Sequence, residues 1–448
     1  MTRLLLGGGR VIGLGPELDR GGEGIIYATQ GIADLVAKVW HPHATTTERA
    51  QKLYAMLSNP PVDPSLQSGH RSICWPTDVL LKNGQVVGYL MPRLAKDAVN
   101  LTQIYHPGAR QKSFPWMTYQ HLVAIARNIA SVCESLHHRG YVIGDVNFKN
   151  WMVIHDSRVT VIDTDSFQVH SPSGRVHCCE VVFPGYRAPE LKGKIFKGAT
   201  LTVHQDAFGL GVLLFQLLVD GNHPTRGLLP DRYGSTEEEK IDNGAFPWGK
   251  NRPADQEPVA LLAPLYEALT PELQRLFEQC FRDGYTHYTL RPSAARWRHA
   301  LDSAFRSLIQ CSVNKLHWYF PSQGGCIWCA FDLKKSGSAI PLATPKPSVV
   351  GVSTSLHPPL SWARCLTHPA AVITAMYIMF LIVAYGPFSK EAVPTLHTVP
   401  ATPPVASMEE LKRWHETEKR FQRLNDHKKR LSDKRNLLHH QYCCGQSP

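Results

Sequence analysis

Two apolar runs, Tyr141–Ile143 and Trp151–Val153, enclose a loop that carries Asp145, Asn147 and Asn150; a third run, Val159–Ile162, ends on Asp163, with Asp165 two residues further on. Oxygen-bearing side chains in a short loop beside a hairpin suit phosphoryl transfer, which needs ligands for a divalent cation and a carboxylate to take the proton of an attacking hydroxyl. In that reading Asp145 orients the hydroxyl as base, and Asn150 and Asp163 are the ligands of Mg²⁺ or Mn²⁺. Each of these residues alone serves ordinary turn formation more often than catalysis, so the reading rests on their order and spacing together.

Further runs flank that loop in a fixed order. Upstream, Leu18–Tyr27 contains Gly21, Gly22 and Gly24, with Asp19 before them and Ile26 after. Glycines here either let backbone N–H groups approach phosphate oxygens or simply make a hairpin turn. Fourteen residues beyond Gly24, Lys38 is the single cation of the apolar strand Leu35–Trp40. Gly88–Leu94 follows, with Met91. Downstream lie Pro184–Glu190, the apolar stretch opening at Asp206, and Arg291-Pro292.

Taken in order, these runs resemble the protein kinases, over residues ~11 to ~307. The resemblance implies that the glycine loop (Asp19, Gly21, Gly22, Gly24, Ile26) covers ATP, that Lys38 holds its α- and β-phosphates, and that Met91 and Leu94 belong to the hinge beside the adenine. It assigns Asp145 to catalysis and Asn150 and Asp163 to the metal. It makes Glu190 and Arg291 a buried, architectural ion pair. Five departures stand out, the first being Asp19 in place of the opening glycine of the loop. Ile143-Gly144 replaces the His-Arg that precedes the catalytic Asp, which removes the reader of a phosphorylated activation loop. Asn147 stands where a Lys touches the transferred phosphate, so a dipole replaces a charge. Asp165 ends the metal triplet in place of Gly, bringing a third carboxylate near the cation and suggesting Mn²⁺. Glu48, earlier than the usual spacing, is the one Glu offered to Lys38 by the following helix. The run Asp163-Thr164-Asp165-Ser166-Phe167 is similar to a divergent bacterial subgroup of Hanks-type Ser/Thr kinases, linked to tellurium-resistance phosphorylation modules.

These residues need a scaffold, and the patterning supplies an α+β, bilobal protein-kinase-like one. Residues 1–94 read as short β runs broken by Gly and Pro, with one helix near Thr47–Leu57, and residues 95–307 as a helical lobe with long apolar-periodic stretches at Gln120–His137 and Gln205–Leu218. With 448 residues and 43% hydrophobic content, the chain can bury a large core. The opening Met1–Leu6 starts like an export signal, but Gly7-Gly8-Gly9 cuts it short. Eleven scattered cysteines, an odd number, suit a reducing compartment. A cytoplasmic catalytic domain is expected. The formal charge of +11 gathers towards the C-terminal end and describes a tail, so no nucleic-acid partner is expected.

Beyond the lobes, residues 308–335 hold Cys311, His317, Cys326 and Cys329, a Cys-x₅-His-x₈-Cys-x₂-Cys set able to give a structural Zn²⁺ four ligands, or else four unlinked residues at a domain edge. A linker, 336–365, leads to 366–386, whose uncharged stretch Ala370–Gly386 reads as a single membrane-spanning helix anchoring the kinase to the inner membrane, or as a helix docked on it. A second linker, 387–407, precedes a basic helical tail, 408–448, with heptad-like apolar positions that allow self-association or a solvated helix. The function expected is γ-phosphoryl transfer from ATP to Ser or Thr hydroxyls of a protein substrate. Its rival is a pseudokinase, an ATP-binding scaffold that recruits partners through its C-terminal region; a small-molecule kinase of the same fold is a third reading.

Overall fold

The computed structural model describes residues 3–195, 198–321 and 324–335. The chain opens with strands β1 (Arg3–Leu6), β2 (Val11–Arg20), β3 (Gly24–Thr29) and β4 (Leu35–Trp40), then helix α1 (Thr47–Ser58), then β5 (Asp78–Lys82) and β6 (Gln85–Pro92). Neighbours pair antiparallel in the order β1-β2-β3-β4-β6-β5, and β1 meets β5 (Leu6 opposite Leu80) to close a six-stranded barrel. Alternation does this: Leu4 and Leu6 of β1 point inward beside Ile12, Leu14, Ala37, Leu80 and Leu90, while Arg3 and Leu5 face out. Closure removes both sheet edges. The short run that begins like an export signal is thus a structural strand.

Thr46 caps α1, its hydroxyl accepting from the Arg49 N–H at 3.2 Å. The helix bridges two cores: Leu53 packs with Trp40 and Tyr89 of the barrel, whereas Ala55 and Met56 join the core of the large lobe.

That larger lobe follows β7 (Val99–Asn100), α2 (Thr102–Tyr105) and α3 (Pro107–Ser113). Its framework is α4 (Tyr119–His138), the helix Ala294–Ser307 packed along it, and α5 (Val203–Leu218). Every residue of α5 from Asp206 to Leu218 is buried, as expected of a helix apolar on all sides at the centre of a lobe. Strands β8 (Trp151–Val153) and β9 (Val159–Val161) form an antiparallel hairpin, extended by β7, and this hairpin carries the loop of interest on one end. After Ser307, a two-stranded ribbon (Ile309–Gln310 with Trp318–Tyr319) and the helix Ile327–Lys335 dock on α4, with the Trp328 ring 5.1 Å from that of Tyr119.

Among the described residues no helix is long and apolar enough to cross a membrane. The spanning helix expected at 366–386, the linkers around it and the basic tail 408–448 lie outside the described residues.

Candidate active site

The loop between Tyr141 and Trp151 is pinned from below by α5. Asp206 is 1% exposed: its Oδ2 accepts from the Ile143 N–H at 2.7 Å and lies 3.0 Å from His137 Nε2, and its Oδ1 accepts from the Gly144 N–H at 2.8 Å. Above that anchor, Asp145 Oδ1 accepts from the Phe183 N–H at 2.8 Å, and Asn150 Nδ2 donates to Asp145 Oδ2 at 3.2 Å and to its carbonyl at 3.1 Å. Burial raises Asp145 above the ordinary carboxylate range, and hydrogen bonds from Asn147, Phe183 and Asn150 and the charge of Lys149 pull against it.

Asn147 is placed otherwise than its expected role requires. It is 1% exposed, its Oδ1 accepts from the Lys149 N–H at 2.8 Å, and its Nδ2 lies 3.3 Å from the Asp145 carbonyl. The amide caps the short turn Phe148–Asn150 rather than facing a phosphate. The charge over this part of the loop belongs to Lys149, whose Nζ lies 4.7 Å from the Phe183 ring centroid.

Asp163 takes a left-handed backbone, φ 60° and ψ 37°, uncommon for a residue with a side chain but one that Asp tolerates. Its Oδ1 lies 3.1 Å from Lys38 Nζ. Lys38 also contacts both oxygens of Asp165, at 2.7 and 3.0 Å. Burial alone would lower Lys38, but Asp165 and Asp163 hold it above its ordinary value. Burial likewise raises Asp163, only partly offset by Lys38. For Asp165 the balance tips the other way: against burial, Lys38, the Tyr89 hydroxyl and Lys52 hold it below the carboxylate range. The strands fix this meeting, because Lys38 stands opposite Tyr89 of β6 on one side and Ile26 of β3 on the other. A cavity of about 530 Å³ opens here between α1 and the segment after Asp163, lined by Lys52, Arg49, Asp145, Asp163, Asp165 and Cys178 among others.

The glycine turn is a tight hairpin closed by the Gly21 N–H donating to the Gly24 carbonyl at 2.9 Å, with Asp19 opposite Ile26 in the ladder. Gly21 and Gly22 are open to solvent. Gly24 has a separate reason to be glycine: a Cβ there would stand 2.5 Å from the Val39 carbonyl oxygen of β4. Glu23, at the tip, is clamped by the Arg49 guanidinium of α1. Met91 is half-buried opposite Val36, and Leu94, also half-buried, follows the end of β6.

Glu48 does not reach Lys38. Its side chain is 67% exposed and lies 3.4 Å from Arg175 of a small hairpin, β10 (Val169–His170) and β11 (Val176–His177). Gly144, where the family places an Arg, has φ 74°, and a Cβ would stand 2.5 Å from Cys179 Sγ, so that position is filled by the chain's own thiol. Glu190 and Arg291 do pair, bidentate at 2.8 and 2.7 Å, with the Arg291 side chain fully buried. Lys52, Asp165 as a partner of Lys38, and Arg49 were not assigned from sequence; the i, i+4 spacing from Glu48 to Lys52 was the one signal available for the helix.

A second cluster lies apart from the cleft. The donor atoms of Cys311, His317, Cys326 and Cys329 all fall within 4.8 Å of one another, with Cys311 Sγ 3.6 Å from Cys329 Sγ and His317 Nδ1 3.5 Å from Cys329 Sγ and 3.7 Å from Cys326 Sγ. Ligands at roughly 2.3 Å around a tetrahedral ion stand about 3.7 Å apart, so the set fits a metal ion. The outer nitrogen of His317, Nε2, lies 3.4 Å from Asp332 Oδ2, the kind of carboxylate acceptor that orients a ligating imidazole.

A strand lysine facing two carboxylates under a glycine turn, a loop bearing Asp145 and Asn150 pinned by a central helix, and a buried Glu–Arg pair behind it define a protein-kinase catalytic domain. The chain belongs to the protein kinases as a divergent bacterial member. It is 34% identical over 330 residues to Protein kinase YegI of Escherichia coli K12, and to the same extent to that of Escherichia coli O157:H7. The match takes in 72% of this chain and 49% of each relative, so the chain spans about half the length of the curated relatives it matches. A ROP18 kinase domain solved with AMP-PNP and sucrose aligns at 17% identity and a TM-score of 0.44, over 68% of this chain and 84% of that one. No family model matches.

Proposed function

We propose that the chain transfers the γ-phosphoryl group of ATP to Ser or Thr hydroxyls of a protein substrate, in the ATP-containing cytoplasm. The observation that carries this is that Asp145 and Asp163 line one cleft, with Asn150 hydrogen-bonded to Asp145 and Lys38 to Asp163. Asp145, held by the Phe183 N–H, keeps its second oxygen towards Asn150 and is the group that orients the acceptor hydroxyl and takes its proton. Asp163 and Asn150 are the oxygen ligands for Mg²⁺ or Mn²⁺, which would neutralise charge on the phosphates. Lys38 supplies the fixed cation for the phosphate oxygens, and Lys149 adds positive potential beside Asp145. Met91, Leu94 and Ile26 are the candidates to enclose the base.

The Cys311, His317, Cys326 and Cys329 set suits a structural Zn²⁺, because four protein donors leave no open position for chemistry.

Radiolabel transfer from ATP to a mixed peptide library, with Mg²⁺ or Mn²⁺, tests the reading. Label on Ser and Thr, lost by at least about 10²-fold in Asp145→Ala and in Asp163→Ala, supports it. Wild-type rates in Asp145→Ala would discredit the enzyme reading. Nucleotide binding without any transfer would favour the scaffold.

A further inference from the structure

In the protein kinases the strand lysine is held by a glutamate from the helix that follows it. Here α1 lines the cleft with Glu48, Arg49, Lys52, Leu53 and Met56, but Glu48 is 67% exposed and its carboxylate is turned to Arg175, 3.4 Å away, at the rim. The ion pairs of Lys38 are with Asp163 and Asp165 of the large lobe, and none is with Glu48. The ammonium is nevertheless fully engaged: Asp165 offers it both oxygens at 2.7 and 3.0 Å, and the Tyr89 ring lies beneath it with Nζ 5.7 Å from the centroid. The two carboxylates differ in what they leave free. The Asp165 side chain is 11% exposed with both oxygens turned to Lys38, while that of Asp163 is 45% exposed and offers Lys38 only Oδ1.

We propose that Asp165 is the positioning carboxylate of Lys38, replacing a helix glutamate, and that it is not a ligand of the divalent cation. This rests on the phosphotransfer reading above and deepens it. The exchange of signs is self-consistent: a carboxylate at the third position of the triplet has moved the negative charge into the large lobe, and Lys52 of α1 faces it from the opposite side of the cavity. Lys38 is then oriented by a residue two positions from the metal-binding Asp163. Positioning the lysine and positioning the metal carboxylate become one event, and the placement of α1 does not gate it.

The test compares Asp165→Asn, Asp165→Glu, Glu48→Ala and Lys38→Met in the full chain. The readouts are KM for ATP, kcat in Mg²⁺ and in Mn²⁺, and Kd for a fluorescent ADP analogue. The expected result is a rise in KM for ATP of about tenfold in Asp165→Asn, with partial rescue in Asp165→Glu and no change beyond about twofold in Glu48→Ala. Lys38→Met combined with Asp165→Asn should weaken nucleotide binding no more than either alone, because both remove one shared interaction. The ratio of rates in Mn²⁺ and Mg²⁺ should stay constant across the Asp165 variants. A wild-type KM in Asp165→Asn, a large loss in Glu48→Ala, or a Mn²⁺/Mg²⁺ ratio that moves with Asp165 each overturns the assignment. A wild type that neither binds the analogue nor transfers phosphate overturns the phosphotransfer reading beneath it instead.

Discussion

Asp206→Asn is the perturbation that most directly probes how the catalytic loop is held. The carboxylate is buried on α5 and accepts two backbone N–H groups, from Ile143 at 2.7 Å and Gly144 at 2.8 Å, besides facing His137. A hydrogen bond to a charged acceptor contributes about 1.5–3 kcal/mol, and a buried donor left without a partner costs roughly 1–3 kcal/mol. An asparagine keeps one oxygen for one N–H and turns an amide against the other, so the expected loss is about 3 kcal/mol. Asp206→Ala strands both donors and should lose about 4 kcal/mol. For a lobe of this size these losses correspond to falls in Tm of roughly 6–12 °C for Asp206→Asn and 8–16 °C for Asp206→Ala. Urea and thermal unfolding at neutral pH measure the first quantity, and hydrogen exchange at the Ile143 and Gly144 amides localises it. A loss below about 1 kcal/mol in Asp206→Ala, or unchanged exchange at those two amides, would refute the claim that this side chain pins the loop.

Two further outcomes follow from other sites. Glu190→Gln should lower stability by about 3 kcal/mol, since it leaves the buried Arg291 guanidinium without its counter-charge. Burial raises Glu190, but the hydrogen bonds and charge of Arg291 more than offset that and hold it below the ordinary carboxylate value. Its contribution is therefore complete above the unfolded value and lost as pH falls through the folded one, so the gap between wild-type and Glu190→Gln urea midpoints should close in acid; a gap that widens in acid contradicts the pairing. At the second cluster, the purified chain should carry one equivalent of zinc, lost in Cys326→Ser together with a lowered Tm, because Trp328 and Phe320 hold that segment on Tyr119 of α4. A zinc-free wild type ends that reading.

What could be read from the sequence was what is local. Asp145, Asn150 and the hairpin before Asp163 lie within twenty residues, and a loop between two apolar runs can hardly avoid bringing them together. The helices at Gln120–His137 and Gln205–Leu218 were visible from their period and run as Tyr119–His138 and Val203–Leu218. Closure of the barrel was not visible, because β1 contributes four residues and its partner β5 lies more than seventy positions away. Lys38 and Asp165 are likewise separated by 127 positions, and no periodicity encodes their meeting. Side-chain direction inside a tight turn was also out of reach: nothing in the spacing says that Asn147 folds back onto the Lys149 N–H instead of facing outward.

The departures from the family pattern, taken singly, read as losses of catalytic parts; in space they occur as matched changes. The Arg missing before Asp145 leaves a left-handed glycine, and Cys179 from the following segment occupies the space over it, so the segment is packed against the loop directly rather than through a phosphate. Lysine is absent two residues after Asp145, and Lys149 supplies a cation two residues later. Glu48 of α1 pairs with Arg175 instead of Lys38, Asp165 is the carboxylate that meets Lys38, and Lys52 of the helix lies on the far side of that carboxylate. Decay of an unused site would not preserve charge complementarity across three elements that are remote in sequence, because an unpaired buried charge costs several kcal/mol wherever it arises. A scaffold that only binds nucleotide needs Lys38 held, but it has no use for Asp145 held by Phe183 and Asn150 at the mouth of the same cleft. That conjunction is why the altered triplet argues for a rewired catalyst over a vestigial one.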